Sequence, residues 1–99
     1  MKDSFYVCGK REGSNLDSAF KYRGTITGDL NKGSNGGIKN GYYTIQSGNT
    51  ITNGPGNVSW CTFIQFDSYS TQVVFSGESI YIRKYTGNPA SWSIWKNIS

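Results

Sequence analysis

The chain has 99 residues, a length that suits one domain with a modest hydrophobic core. Its formal net charge is +4, but no dense run of Lys or Arg is present, so we expect no nucleic-acid binding. Histidine is absent and no apolar stretch approaches the roughly 20 residues of a membrane span, so we expect neither a cofactor or metal site nor membrane insertion.

The first forty residues predict little regular structure. An apolar run occupies residues 5–8, and Ser14–Phe20 is long enough for one helical turn. Lys21–Thr27 alternates in the manner of a strand. A glycine-rich loop covers residues 29–40, and we expect Leu30 to hold it against the core.

The remainder of the chain predicts successive strands. Gly41–Gln46 alternates after an Asn-Gly turn, and a loop at 47–58 follows, in which we expect Ile51 to pack inward. Residues 60–98 predict four consecutive antiparallel strands with short links, the last of them at 92–98. The predicted fold is therefore mainly β, either a small antiparallel β-sandwich or a strongly twisted meander.

The low hydrophobic content, 35%, suggests that the core receives support from outside the single chain. Cys8 and Cys61 are compatible with a disulfide, and equally with two reduced side chains buried as small hydrophobes. Association of subunits is the support that we favour.

Few titratable groups are placed for catalysis. Without histidine, a base would have to be a lysine or a carboxylate. Only Asp67 and Glu78 among the acids fall in the strand-rich half, and both lie at strand ends. We therefore predict no enzymatic activity, and rank a small basic enzyme last among the alternatives.

Aromatic and polar side chains near the predicted C-terminal strands are candidates for saccharide binding. An indole or phenol face packs well against the C–H groups of a pyranose, and carboxylate, hydroxyl and guanidinium groups bind its hydroxyls. The candidate ligand-binding residues are Trp92, Tyr69, Asp67, Tyr85 and Arg83.

Packing is the competing interpretation for these side chains. Arg83 lies between Tyr81 and Tyr85 on one strand face, and could simply stack on those rings. Regular alternation places Trp92 and Trp95 on opposite faces, and we expect Trp95 to be the core residue and Trp92 the exposed one.

Six short motifs follow one another in a fixed order. They are D-L-N at 29–31, G-Y-Y at 41–43, N-G-P-G at 53–56, Q-V-V-F at 72–75, I-Y-I-R at 80–83 and W-S-I-W-K-N-I at 92–98. This order resembles the small knob domains of phage tail fibres and of R-type pyocin fibres. The resemblance covers residues 25–98, so residues 25–99 are expected to form the knob and residues 1–24 a piece of fibre shaft or an N-terminal extension.

The resemblance implies a homotrimer in the tail of a virion or phage-derived particle, joined to other fibre domains. Such a protein is made in the host cytoplasm, which favours reduced cysteines, and acts outside the cell. It would attach the particle to bacterial surface polysaccharide. Two alternatives stay open: a structural trimerising knob without a receptor site, and a carbohydrate-binding module of a secreted enzyme.

Overall fold

A computed structural model of the chain describes residues 20–99. The apolar run at 5–8, Cys8, and all but Phe20 of the predicted helical turn lie outside the described residues. Most of the predicted shaft or extension, residues 1–19, lies outside them as well. Within the described range, no helix has the length and hydrophobicity needed to cross a bilayer.

Residues 20–99 form short strands linked by turns and two 3-10 helices, Leu30–Asn35 and Gly48–Thr50. The strands are β1 (Tyr22–Thr25), β2 (Gly28–Asp29), β3 (Gly41–Ser47), β4 (Ile51–Thr52), β5 (Ser59–Phe66), β6 (Thr71–Ser76), β7 (Ser79–Gly87), β8 (Ala90–Trp92) and β9 (Lys96–Asn97). The prediction of a mainly β fold is confirmed.

One mixed sheet holds most of these strands, in the order β1-β3-β5-β6-β7-β8, with β9 also pairing with β7. The pairs among β5, β6, β7, β8 and β9 are antiparallel, as predicted for the meander. β3 also pairs antiparallel with β5. Two parallel pairs were not predicted: β1 with β3, and β2 with β4 in a separate small sheet. Because β1 spans Tyr22–Thr25, residues 22–24 belong to the sheet rather than to a separate extension.

The C-terminal segment is two short strands rather than the single strand predicted at 92–98. β8 ends at Trp92 and β9 begins at Lys96. Between them Ser93 keeps two bonds to β7, its N–H donating to Lys84 O at 2.8 Å and its hydroxyl accepting from Lys84 N at 3.1 Å. The chain therefore stays beside β7 while it leaves the regular ladder.

The hydrophobic core covers one face of the sheet, which we call the inner face. On this face, side chains from β3, β5 and β6 pack against residues of the loops before and after β3. The buried cluster is Ile26, Leu30, Ile38, Tyr43, Ile45, Val58, Cys61, Phe63 and Val74. Leu30 is fully buried, and Ile51 packs against the cluster, so both predicted anchors are confirmed.

Adjacent residues on β3 separate the two faces. Tyr43 is buried in the core, whereas Tyr42 is 39% exposed on the opposite side, which we call the outer face. Alternation along the strand explains the difference, because successive side chains point to opposite faces of a sheet. Cys61 carries a free thiol on the inner face, and burial raises the pKa of that thiol.

Candidate functional site

A row of polar side chains crosses the inner face beside the hydrophobic core. Gln65 on β5 pairs in register with Gln72 on β6, which pairs with Arg83 on β7. The two glutamines are fully buried and Arg83 is 5% exposed. Buried polar groups are costly unless they are hydrogen-bonded, so their partners determine whether this row is stable.

Gln72 is the centre of this polar row. Its Nε2 donates to Leu30 O at 2.6 Å and to Gln65 Oε1 at 2.8 Å, and its Oε1 accepts from Arg83 Nε at 2.7 Å. Gln65 Nε2 donates in turn to Thr71 O at 3.3 Å. One amide thus fixes the 3-10 helix Leu30–Asn35 to the sheet and orients the guanidinium of Arg83.

Gly33 allows that helix to lie close to the glutamines. A Cβ atom at this position would overlap Gln65 Oε1 and lie 2.6 Å from Gln72 Nε2. The replacement Gly33→Ala should therefore lower the free energy of unfolding by about 1–3 kcal/mol, the usual cost of overpacking. Urea denaturation followed by tryptophan fluorescence measures the change.

Gly56→Ala is the matched control, because a Cβ there meets nothing within 4 Å. Its expected effect is a few tenths of a kcal/mol, in either direction. Equal stability of the two alanine variants would show that the helix does not rest on the glutamines as described.

The guanidinium of Arg83 lies between two indoles. Its Cζ is 4.4 Å from the ring centroid of Trp92 and 4.8 Å from that of Trp95. The expected stacking of Arg83 between Tyr81 and Tyr85 is therefore wrong. The break after β8 explains the difference. Strict alternation would place the two tryptophans on opposite faces, but the chain leaves the strand ladder between them, so both indoles contact the same cation.

Burial dominates the electrostatics of Arg83. It lowers the pKa of the guanidinium to about 10, while attraction to Asp29 opposes the shift. Arg83 is therefore protonated at neutral pH. Its Nη2 is buried and has no hydrogen-bond partner among the described residues.

The two indole nitrogens attach the C-terminal segment to loops far upstream. Trp92 Nε1 donates to Asn31 O at 3.1 Å, and Trp95 Nε1 donates to Asn53 O at 2.8 Å. Trp95 is half-buried and packs against the core cluster, as expected, while Trp92 is also half-buried. Both tryptophans thus help to hold the loops in place.

Asp29 joins the same two loops from the other side. Its Oδ1 accepts from Asn53 Nδ2 at 2.8 Å and from Asn31 N at 2.9 Å. These bonds, that from Asn53 first, lower the pKa of the carboxyl group. The side chain is thus an ionised acceptor that fixes the loop positions.

A cleft of about 500 Å³ opens where these loops meet the C-terminal strands. Its lining combines two aromatic rings, two amides, two serine hydroxyls and the guanidinium. The lining residues are Asn31, Ser34, Asn53, Arg83, Tyr85, Ser91 and Trp92. The rings of Tyr85 and Trp92 lie 5.3 Å apart and are inclined at 58°, so they form an apolar corner within a polar lining.

Three of the five predicted site residues, Arg83, Tyr85 and Trp92, thus come together in one cleft. The residues that sequence reasoning missed lie in the loops upstream of the strands. Asn31 and Asn53 fall within the D-L-N and N-G-P-G motifs. These motifs mark the two loops, but they do not indicate which residues the two asparagines contact.

The other two predicted residues, Asp67 and Tyr69, lie in the turn between β5 and β6 and do not line the cleft. Asp67 Oδ2 accepts from Lys84 Nζ and from Thr71 Oγ1, both at 3.2 Å. Thr71 and Lys84 pair in register, one residue from Gln72 and Arg83, so their side chains belong to the outer face. The hydrogen bond from Lys84 is the main cause of the lowered pKa of Asp67. Tyr69 is half-buried with a φ of 70°.

Comparisons of the chain with protein-family models, with curated proteins and with solved structures found no match.

Proposed function

We propose that this chain is a non-catalytic domain of the tail fibre of a phage or phage-derived particle, and that it attaches the particle to saccharide on a bacterial surface. The observation that carries the proposal is the cleft between the two upstream loops and β7–β8. It combines an aromatic corner with amide, hydroxyl and guanidinium groups on a β framework.

The chemistry of the lining suits a sugar. A pyranose presents C–H groups on its faces and hydroxyls around its rim, so it needs an apolar surface with donors and acceptors beside it. Tyr85 and Trp92 provide the apolar surface. Asn31, Asn53 and Ser91 provide groups that both donate and accept. Because Arg83 is charged, acidic sugars would be favoured over neutral ones.

The carboxylates support a binding role rather than catalysis. Asp29 and Asp67 both have lowered pKa values and are held by hydrogen bonds from neighbouring residues. A general acid needs a raised pKa that keeps its proton near neutral pH. These two groups are therefore suited to fixing loops and turns, and not to acting as general acids.

Binding to an array of bacterial surface glycans tests the proposal. Trp92→Ala removes half of the aromatic corner and should weaken binding of the best glycan about tenfold, the equivalent of one lost stacking contact. Trp60→Ala is the matched control, because Trp60 is 75% exposed and is not part of the cleft lining. We expect it to bind like the wild type.

Two further variants make the outcome decisive. Ser91→Phe fills the cleft from an exposed position on β8, and should abolish binding without removing a contact of Arg83. Tyr69→Ala should have little effect, since Tyr69 is not part of the lining. Circular dichroism confirms folding of each variant. Full binding by folded Trp92→Ala and Ser91→Phe would refute the site.

A structural trimerising knob without a receptor site is the second candidate function. The exposed apolar outer face of the sheet favours it, because such a face suits subunit contact better than contact with a sugar. This candidate predicts that no glycan binds while the chain still self-associates. A carbohydrate-binding module of a secreted enzyme predicts the opposite, a glycan-binding monomer.

A further inference from the structure

The outer face of the sheet carries an uninterrupted apolar row. Tyr42 on β3 pairs with Ile64 on β5, which pairs with Val73 on β6, which pairs with Ile82 on β7. Residues in register across antiparallel strands present their side chains to the same face. The row therefore crosses four strands without a polar residue.

Large apolar side chains flank this row and are open to solvent. Phe75, on the next row of β6, is 43% exposed, and Phe66 at the end of β5 is 38% exposed. Tyr22 on β1 stacks on Tyr42 at 5.4 Å and is 52% exposed. Within residues 20–99, none of the side chains of this face belongs to the buried core cluster. Val73 in the middle of the row is nevertheless 9% exposed and Thr71 on the same face 3% exposed, so neighbouring side chains already cover part of this face, although the core cluster within residues 20–99 does not extend to it.

Among the strand residues of the outer face, the charged ones lie at one border. Lys84 and Lys96 lie on β7 and β9, and Lys84 is paired with Asp67 at 3.2 Å. The row from Tyr42 to Ile82 and its flanking rings are uncharged. Two copies of this face can therefore meet without like charges opposing each other at the centre of the contact.

The size of the face matches an interface. Five neighbouring strands, each contributing about six residues, cover about 500 Å² in projection at the usual strand spacing and rise. Two such faces in contact would cover about 1,000 Å² in total, which is about the smallest area expected of a specific interface. Interfaces between identical subunits are also more apolar than other interfaces.

We propose that copies of this chain associate through the outer face, with the row of Tyr42, Ile64, Val73 and Ile82 at the centre of the contact. Two such faces meeting directly form a twofold contact, so the proposal stands apart from the homotrimer that the resemblance implies. It also accounts for a sheet on which the core cluster of residues 20–99 lies on the inner face. The rival occupant is the segment that precedes Phe20, because Phe20 packs on Tyr42 at 5.6 Å and so brings the chain to this face.

Sedimentation equilibrium of the full chain tests the proposal without any ligand, so its result is independent of glycan binding. We expect a wild-type oligomer, and we expect Phe75→Glu to be a folded monomer or to need at least tenfold more protein to associate. Asn57→Glu is the control, since it adds the same charge at an exposed loop residue. It should associate like the wild type.

Tyr42→Lys provides a second charged variant should Phe75→Glu fail to fold, which near-UV circular dichroism reports. A wild-type chain that is monomeric at all concentrations would overturn the proposal and favour coverage by residues 1–19. Unchanged association of either folded charged variant would also overturn it. If the wild-type chain associates but binds no glycan, the result counts against the binding cleft and leaves the proposed interface standing.

Discussion

Replacing Phe63 with alanine is expected to lower the free energy of unfolding by about 3–5 kcal/mol. Phe63 is fully buried at the centre of β5, paired with Tyr43 on one side and Val74 on the other. Its ring lies 5.8 Å from that of Tyr43. Removing it leaves a cavity that the strands on either side cannot close, because their spacing is fixed by the ladder of hydrogen bonds. Urea denaturation measures the loss.

Ile94→Ala is the control for this truncation, because Ile94 is 86% exposed between β8 and β9. Its expected effect is within about 0.5 kcal/mol, as for most surface substitutions. Comparable losses in the two variants would contradict a core centred on the inner face.

Replacing Gln72 with methionine is expected to cost about 3–5 kcal/mol although the side-chain volume barely changes. The amide makes three hydrogen bonds, to Leu30 O, to Gln65 Oε1 and from Arg83 Nε. Methionine would leave all three partners buried without that bond, and one of them is a cation. Both the unfolding free energy and the fluorescence of Trp92 and Trp95, which sandwich that cation, should change.

Gln46→Met is the matched control, since Gln46 is exposed on β3. We expect its unfolding free energy to stay within about 0.5 kcal/mol of the wild type. A Gln72→Met variant as stable as this control would mean that the polar row contributes specificity at most, and not stability.

Local patterns predicted the elements whose side chains alternate regularly. The strand from Gly41 and the three strands between residues 59 and 87 follow directly from alternation of side-chain types. In β3 and β5 burial alternates in the same way, whereas the first four residues of β6 are all buried. Leu30 and Ile51 were predictable as anchors because each is an isolated large apolar residue in a polar loop.

Pairings between distant segments were not predictable. The parallel contact of β1 with β3, and that of β2 with β4, depend on loop paths that no local pattern encodes. The break between β8 and β9 was missed because the prediction assumed regular alternation from Trp92 to Ile98. Because the chain leaves the ladder there, both indoles contact the buried guanidinium of Arg83.

Part of the candidate site could be predicted from the sequence. Arg83 and Tyr85 share a strand face, and Trp92 faces them across a hairpin, so their proximity follows from local geometry. Asn31 completes the cleft from 61 residues away, through the bond from Trp92 Nε1. Asp67 lies apart from the cleft, because its carboxylate accepts a hydrogen bond from Lys84 on the outer face, and the sequence does not encode to which face a turn residue points.

Nuclear magnetic resonance titration of the ¹⁵N-labelled full chain, with the glycan that binds best on the array, locates the ligand on the protein. We predict saturable shifts of the Trp92 indole N–H and of the Ser91 and Asn53 amides, with Asp67 to Ser70 unchanged. Shifts confined to that turn or to the outer face, with the Trp92 indole unmoved at saturation, would contradict saccharide binding in the cleft.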